Sequence, residues 1–120
     1  MSIVSKNNSP LGDGGNHYQW GNNCDGWVLL DTENLSVKQE RMPPLTSETL
    51  HYHEKSQQFF FILKGIATFE FEDKSYTVQA GEGFHIEPMK KHRIINNTAE
   101  DLEFILSSQP NTSNDRFNVV

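Results

Sequence analysis

Hydrophobic and polar positions alternate in short runs along this chain, and such runs are typical of β-strands. Residues 58–63 and 66–71 are rich in aromatic and β-branched side chains, which favour extended structure. No stretch of ten residues keeps the 3.6-residue period of an amphipathic helix. The pattern predicts strands at residues 27–30, 35–42, 49–53, 58–63, 66–71, 75–78, 84–86, 92–95 and 102–106.

Turn-forming residues separate these runs at intervals of about eight to twelve residues, which is typical of sandwiches and barrels. Pro43 and Pro44 end one predicted strand, Gly65 divides two others, and residues 80–83 precede another. A small closed barrel would also remove aggregation-prone strand edges. Because 120 residues suffice for one core but not for two, the sequence predicts a single all-β domain.

The two ends of the chain lack the strand pattern. Residues 1–26 are dense in Gly, Asn and Asp, with a turn signal at residues 12–15. We expect them to form an irregular N-terminal arm, whose His17, Tyr18 and Trp20 lie against the domain or a neighbouring subunit. The barrel is expected over residues 27–107 and a polar C-terminal surface tail over residues 108–120.

The predicted strand at residues 58–63 is apolar on both faces, unlike a strand with one wet side. If Phe60 points into the barrel, Phe59 and Phe61 point outward. Either a second layer of the same chain or a partner subunit then covers the outer face. From this strand we expect a homodimer.

Composition and charge exclude several classes of partner. The net charge of −6 disfavours nucleic acid, which calls for a basic face. The chain has no apolar run of transmembrane length, and its first eight residues lack the apolar stretch of a signal peptide. We therefore expect a cytoplasmic protein without a membrane partner. The single cysteine, Cys24, cannot form an internal disulfide and is expected to be inert.

The segment from His51 to Gln58 is the best candidate for a chemical site. His51 and His53 are two residues apart in a predicted strand, so their rings project from one face about 6.6 Å apart at the backbone. Gln58 begins the next predicted strand, and His92 begins a later one. Two neighbouring imidazoles can converge on one ion, so a metal site is predicted here.

This arrangement resembles the first sequence motif of the cupin family. That motif reads Gly, five residues, His-x-His, three or four residues, Glu, six residues, Gly. The chain has Leu45, His51, His53, Gln58 and Gly65 at these positions. Two departures stand out: a leucine replaces a glycine that permits a tight turn, and a glutamine replaces the usual glutamate.

The second cupin motif is also similar. It reads Gly, five residues, Pro-x-Gly, two residues, His, three residues, Asn, where the chain has Gly81, Glu87, Met89, His92 and Asn96. Glutamate thus replaces a proline and methionine replaces a glycine, so we expect altered turns in an otherwise intact barrel. Asn96 is expected to brace a turn by hydrogen bonding rather than to bind metal.

The resemblance covers residues 27–106 and implies a cupin-type double-stranded β-helix, or jelly-roll, barrel. It also implies one divalent transition metal per subunit, with His51, His53, Gln58 and His92 as ligands. Nitrogen and oxygen donors of this kind suit Mn, Fe, Co, Ni, Cu or Zn, and affinity alone cannot choose among them. Segments outside the motifs, at residues 18–27 and 108–110, resemble a bacterial subfamily of short cupins with no established activity.

Gln58 changes the charge of the expected site. Three neutral imidazoles and a neutral amide leave a divalent ion at its full +2, whereas a glutamate would reduce the site to +1. The ion should therefore be a stronger Lewis acid and less suited to oxygen activation. Some cupins, hydroxynitrile lyases among them, carry glutamine here and still hold a metal. His85 is a weaker candidate, either as a pocket acid or base or as a packed histidine.

Three functions remain open from the sequence. The first is a Lewis-acid enzyme of isomerase or lyase type that acts on a small polar molecule, such as a sugar or carbonyl compound. The second is an iron-dependent dioxygenase, against which Gln58 argues mildly. The third is a non-catalytic module that binds a sugar or similar small ligand in the barrel. Fold resemblance alone does not choose among them.

Overall fold

The computed structural model describes residues 1–7 and 16–120, and these residues form β-strands joined by turns. The turn signal predicted at residues 12–15 lies outside the described residues. No helix that could span a membrane occurs in the described part of the chain. The strands are β1 (His17–Trp20), β2 (Cys24–Asp31), β3 (Ser36–Met42), β4 (Thr46–Ser47), β5 (His51–Tyr52), β6 (Gln57–Lys64), β7 (Ile66–Glu70), β8 (Ser75–Gln79), β9 (Gly83–Ile86), β10 (Arg93–Asn96), β11 (Leu102–Gln109) and β12 (Phe117–Asn118).

The strands form two main antiparallel sheets. Six strands make one sheet in the order β1-β2-β3-β11-β6-β9, and four make the other in the order β4-β10-β7-β8. A third, two-stranded sheet joins β12 to β5. Strands far apart in sequence are neighbours, as when β11 lies between β3 and β6. This order is that of a jelly roll, so the predicted all-β fold is confirmed.

One apolar core lies between the two main sheets. Phe60 of β6 packs edge to face on Phe69 of β7, with ring centroids 4.9 Å apart. Phe69 in turn stacks on Phe84 of β9 at 4.4 Å. Each such aromatic pair adds about 0.5–1.5 kcal/mol beyond the area it buries. The core is completed by Cys24, Met42, Ile62, Ala67, Val78, Ile86, Ile94, Leu102 and Phe104.

Inward-facing side chains change from apolar to polar along the barrel. On β6 the buried residues run from Ile62 through Phe60 to Gln58, and on the antiparallel β11 they run from Phe104 to Ser108. Gln58 lies opposite Ser108 in the strand register. One end of the barrel is therefore a packed core, and the other end is available for a polar site.

Buried and exposed apolar side chains alternate along strand β6, as predicted. The side chains of Phe60 and Ile62 are buried, whereas Phe59, Phe61 and Leu63 are 46%, 39% and 45% exposed. The outer face of β6 is therefore an apolar surface in the single chain.

The N-terminal arm contains more regular structure than the sequence predicted. Strand β1 pairs with β2, and β2 begins at Cys24, so the expected boundary between residues 26 and 27 falls inside a strand. Tyr18 lies opposite Gly26, where a Cβ atom would be 2.0 Å from the Tyr18 Cζ atom. The glycine thus makes room for the ring. Because β1 is only four residues long and lies among turn residues, its pattern gave no strand signal.

Parts of the C-terminal tail also pair with strands of the fold. Strand β11 extends to Gln109, beyond the predicted end at residue 106. Strand β12 pairs with β5, where Phe117 lies opposite Tyr52 and the two rings stack at 5.3 Å. The strand predicted at residues 49–53 is shorter in the structure, where only His51 and Tyr52 belong to β5.

At the two motif positions where another residue replaces glycine, the backbone adopts a conformation that favours glycine, contrary to the expectation of altered turns. Leu45 and Met89 have positive φ angles of 60° and 72°, a region that non-glycine residues rarely adopt. Asn96 braces a neighbouring turn, as predicted. Its Nδ2 donates to the carbonyl oxygens of Met42, Pro43 and Glu100 at 3.0, 3.1 and 2.8 Å.

Candidate metal centre

Three histidines converge at the polar end of the barrel. His51 starts β5, His53 follows it, and His92 precedes β10. The backbones of His51 and His92 exchange two hydrogen bonds, at 3.0 and 2.9 Å. Ring centroids are 4.5 Å apart for His51 and His92, and 5.0 Å apart for His51 and His53. One ligand atom from each ring lies within 4.8 Å of the others, so the three are positioned to hold one metal ion.

Backbone carbonyl groups fix which nitrogen of each ring carries the proton. The Nδ1 atoms of His51 and His92 each lie 2.7 Å from the carbonyl oxygen two residues earlier in the chain. The Nδ1 atom of His53 lies 2.5 Å from the carbonyl oxygen of Asp115. Because a carbonyl oxygen only accepts hydrogen bonds, each Nδ1 must carry a proton. Each Nε2 atom is then left with a lone pair for a metal.

Three buried polar atoms at this place have no hydrogen-bond partner among the described residues. They are Nε2 of His53, Nε2 of His92 and Oε1 of Gln58. Buried side-chain polar atoms almost always have a partner, so three unsatisfied acceptors together call for a bound group. Gln58 Nε2 donates to Ser108 Oγ at 3.1 Å, which leaves its Oε1 for that group. This donor set fits a divalent transition metal.

The three imidazoles are kept neutral. Burial lowers the pKa of His51 to about 3 and that of His92 to about 4, and it also lowers the pKa of His53. The positive charge of Arg116 further lowers all three pKa values. Neutral imidazoles are the form that binds metal, so the site needs no deprotonation at neutral pH.

Residues of the C-terminal tail complete the site, and the sequence gave no sign of them. Besides accepting the His53 hydrogen bond, Asp115 has a carboxylate that accepts from the N–H groups of Glu54, Lys55 and Ser56 at 2.9, 3.1 and 2.9 Å. These contacts hold the turn between His53 and β6 in place. No local pattern marks them, because they join residues about 60 positions apart.

A cavity of about 170 Å³ lies beside the histidines. His51, His53 and Gln58 line one part of it. The rest is lined by polar or charged side chains, among them Tyr18, Lys38, Glu40, Glu48 and Arg116, and by the apolar side chains of Trp20, Phe60, Ile94 and Leu106. Burial raises the pKa of Glu48 to about 8. The candidate metal site thus opens on a small chamber of mixed polar and apolar lining.

His85 is not brought to this cavity. It lies on the outer face of β9, opposite Phe59 of β6, and its Nε2 is 2.8 Å from Gln57 Oε1. Its neighbours Phe84 and Ile86 take the inner face. Strand alternation therefore turns His85 away from the other three histidines.

The fold and site define a jelly-roll barrel with a three-histidine cluster at one end. The sequence matches the family model of the cupin domain over residues 38–108. This match spans more than half of the chain, so the chain belongs to the cupin family. No curated protein matches the sequence.

Solved structures of cupin type are similar to the whole barrel. A predicted oxalate decarboxylase from Thermotoga maritima is 21% identical, with a TM-score of 0.78 over 92% of this chain and 100% of that one. The polyketide cyclase RemF from Streptomyces resistomycificus is 15% identical, with a TM-score of 0.79 over 100% and 86%. KdgF from Halomonas sp. is 16% identical, with a TM-score of 0.74 over 82% and 88%. These likenesses show the shared fold.

Proposed function

We propose that this protein is a metal-dependent Lewis-acid enzyme of isomerase or lyase type that acts on a small polar molecule such as a sugar or carbonyl compound. His51, His53, Gln58 and His92 would hold one divalent transition metal per subunit. The observation that carries the proposal is the set of unpartnered, inward-facing acceptor atoms at one point of the barrel. All four side chains are neutral, which favours electrophilic chemistry over oxygen activation.

When bound, the metal would polarise a carbonyl or hydroxyl oxygen of the substrate. The chain itself supplies the rest of the site. The carbonyl groups that fix the Nδ1 protons hold the imidazoles in orientation, and Ser108 orients Gln58. The small chamber limits the size of the substrate and the amount of water beside it.

The similar structures do not indicate which reaction this protein catalyses. They include a polyketide cyclase and a predicted oxalate decarboxylase, which differ in chemistry. All of the compared identities are below 25%, so the proposal is supported by the site of this chain and not by the activities of those proteins.

Metal analysis tests the proposal. The protein is purified without added metal, reconstituted separately with Mn, Fe, Co, Ni, Cu and Zn, and compared with His51→Ala and His85→Ala. We expect about one equivalent of metal in the wild type and in His85→Ala, because His85 lies outside the site. His51→Ala should lose it. A wild type that retains none of the six metals would refute the proposal.

Oxygen consumption separates the Lewis-acid enzyme from a dioxygenase. Iron-loaded protein is placed in an oxygen electrode with sugars, small carbonyl compounds and small acids. We expect no oxygen uptake above that of the metal-free protein. Uptake that depends on both iron and one of these compounds would favour the dioxygenase.

We also propose that the outer face of β6 forms the contact of a homodimer. Phe61 on this face lies opposite the half-buried Ile105 of β11, so the apolar face continues onto the next strand. An apolar surface of this kind is a common site of association between subunits.

A further inference from the structure

A phenol and a carboxyl group meet in the cavity that contains the candidate metal ligands. The hydroxyl group of Tyr18 donates a hydrogen bond to Oε2 of Glu40. Both residues line the cavity of about 170 Å³ together with His51, His53 and Gln58. The cavity therefore has metal donors on one side and an acidic pair on another.

Three strands are arranged to bring this pair together. In the register of the six-stranded sheet, Gly26 of β2 lies opposite Tyr18 of β1 on one side and Glu40 of β3 on the other. A Cβ atom at position 26 would lie 2.4 Å from the Tyr18 hydroxyl oxygen. The absence of a side chain on the middle strand therefore lets the phenol cross it and reach the carboxyl group.

The setting of Glu40 is unusual for a structural residue. It is 9% exposed, and among the described residues its carboxyl group has one hydrogen bond, from Tyr18, and no ion pair. Oxygen Oε1 thus has no hydrogen bond to the part of the chain that the structure describes. Burial raises the pKa of Glu40, whereas the hydrogen bond from Tyr18 and the charges of Lys38 and Arg116 lower it. Burying a carboxyl group with few partners costs free energy, and groups of this kind concentrate at functional sites.

We propose that Glu40, held by Tyr18, is the proton-transfer group of this site, and that the substrate is a small α-hydroxy aldehyde or ketone. The proposal rests on the proposed function, which needs a base that the neutral metal ligands do not supply. A cavity of about 170 Å³ has room for about six water molecules, which suits a compound of three or four carbon atoms.

The proton transfer balances without any further reagent. Glu40 Oε1 accepts the proton from the carbon next to the carbonyl group, the C–H electron pair forms a C=C bond, and the carbonyl π pair moves to oxygen. Glu40 then returns the proton to the former carbonyl carbon. The hydroxyl group on the carbon that first lost its proton passes its own proton to the former carbonyl oxygen and becomes the new carbonyl group. This completes an aldose–ketose type of isomerisation. Tyr18 donates to Oε2 throughout and keeps Oε1 aimed at the substrate.

Proton exchange with solvent tests the proposal. Metal-loaded protein is incubated in D₂O with dihydroxyacetone or hydroxyacetone, and loss of the proton signal next to the carbonyl group is followed by NMR. Glu40→Gln keeps the size of the side chain and an acceptor for Tyr18. It should slow exchange by about 10²–10⁴-fold, the usual contribution of a general base. Tyr18→Phe should slow it less, because Glu40 remains.

Two controls separate a catalytic role from a structural one. Glu103→Gln changes a glutamate that faces outward between buried Leu102 and Phe104, and it should exchange protons at the wild-type rate. Metal content and the midpoint of urea unfolding should be the same in Glu40→Gln as in the wild type. The ¹³C signal of the Glu40 carboxyl group should also shift when dihydroxyacetone is added to metal-free protein.

The outcomes distinguish this inference from the proposed function. If the wild type binds metal but Glu40→Gln exchanges protons at the wild-type rate, the role of Glu40 is refuted and the metal site stands. If the metal-loaded wild type exchanges neither compound, the substrate class is refuted. A wild type that holds no metal refutes both. Slow exchange in Glu40→Gln with normal metal content and stability supports the inference.

Discussion

Asp115 holds His53 in place with its main chain and holds the turn after His53 with its side chain. The carbonyl oxygen of Asp115 accepts a hydrogen bond from His53 Nδ1 at 2.5 Å, across 62 positions of sequence. Its carboxylate accepts hydrogen bonds from three consecutive backbone N–H groups, those of residues 54, 55 and 56. One residue of the tail therefore supports both the orientation of a candidate metal ligand and the path of the chain beside it.

Asp115→Ala should weaken both stability and metal binding. Three buried or half-buried N–H groups lose their acceptor, so we expect the free energy of unfolding of the metal-free protein to fall by about 1–3 kcal/mol. Metal affinity should fall by no more than roughly tenfold, the low end of the range for lost support of a ligand, because alanine keeps the main-chain carbonyl that accepts from His53 Nδ1 and only the turn after His53 is released. Urea unfolding and competition with a chelator measure the two effects.

Asp73→Ala is the matched control, because Asp73 is exposed in a turn of the other sheet. It should change neither quantity. If Asp115→Ala has the metal affinity of the wild type, the carboxylate of Asp115 does not support the site.

Gln58→Glu should have opposite effects on the loaded and the metal-free protein. A glutamate would lower the net charge of the loaded site and tighten metal binding by roughly tenfold, or about 1.4 kcal/mol. In the metal-free protein the same carboxyl group would be buried without a counter-charge, so the free energy of unfolding should fall. Isothermal titration with Zn²⁺ or Mn²⁺ and urea unfolding with a chelator test the two parts.

Gln57→Glu is the control for this pair of effects. Gln57 is adjacent but exposed, and its Nε2 donates to Gln109 Oε1 outside the site. It should leave metal affinity unchanged. Equal affinities of Gln58→Glu and the wild type would show that residue 58 does not ligate the ion.

The metal-free protein should be most stable near pH 6.5. The folded-state pKa values of His51 and His92, about 3 and about 4, lie below the ordinary value of 6.5. Between these pH values the unfolded chain binds more protons, so stability rises as pH increases towards 6.5. Glu48 acts in the opposite direction, since its pKa of about 8 lies above 4.5 and the folded chain binds the extra proton. Its contribution is lost as pH rises towards 8.

Urea unfolding from pH 4 to pH 9 in the presence of a chelator measures this profile. Glu48→Gln should reduce the fall in stability between pH 6.5 and 8, to which the raised pKa of Glu40 also contributes, whereas Gln in place of the exposed Glu33 should not change it. A wild-type profile that is flat from pH 4 to 6.5 would show that the histidines are not buried as neutral groups.

Leu45→Gly should stabilise the protein. Leu45 has a φ angle of 60°, which costs a non-glycine residue about 1–2 kcal/mol. Its side chain is 77% exposed, so its removal loses little burial. Glycine also makes the unfolded chain more flexible, which costs roughly 0.5–1 kcal/mol. The free energy of unfolding should therefore rise by about 1 kcal/mol. Leu35→Gly, at a 37% exposed residue without a positive φ, should destabilise; equal effects of the two substitutions would contradict the strain argument.

Local patterns in the sequence were sufficient to predict most strands and two histidines on one strand face. The spacing of His51 and His53 and the alternation around Phe60 depend only on the two-residue period of a strand. These features need no knowledge of which strands are neighbours. His92 was joined to the pair only through the resemblance to the second cupin motif. Altered turns were expected at Leu45 and Met89, whereas both residues adopt a positive φ.

The rest of the site depends on contacts between distant parts of the chain. Tyr18 meets Glu40 across β2, and Asp115 meets His53 through the pairing of β12 with β5. Tyr18 and Asp115 lie in segments whose amino-acid composition is typical of loops. A single sequence does not show that such a segment adds a strand to a sheet, because pairing is decided by tertiary packing.

The outer face of β6 should hold two subunits together. Phe59, Phe61 and Leu63 are each more than a third exposed in the single chain, and an apolar surface of this kind favours association. Light scattering coupled to size-exclusion chromatography should give a dimer for the wild type at micromolar concentration. Phe61→Asp places a charge on this face and should give a folded monomer with a normal metal content. Tyr76→Asp, at a 36% exposed position of the other sheet, should stay dimeric, and a monomeric wild type would refute the proposed contact.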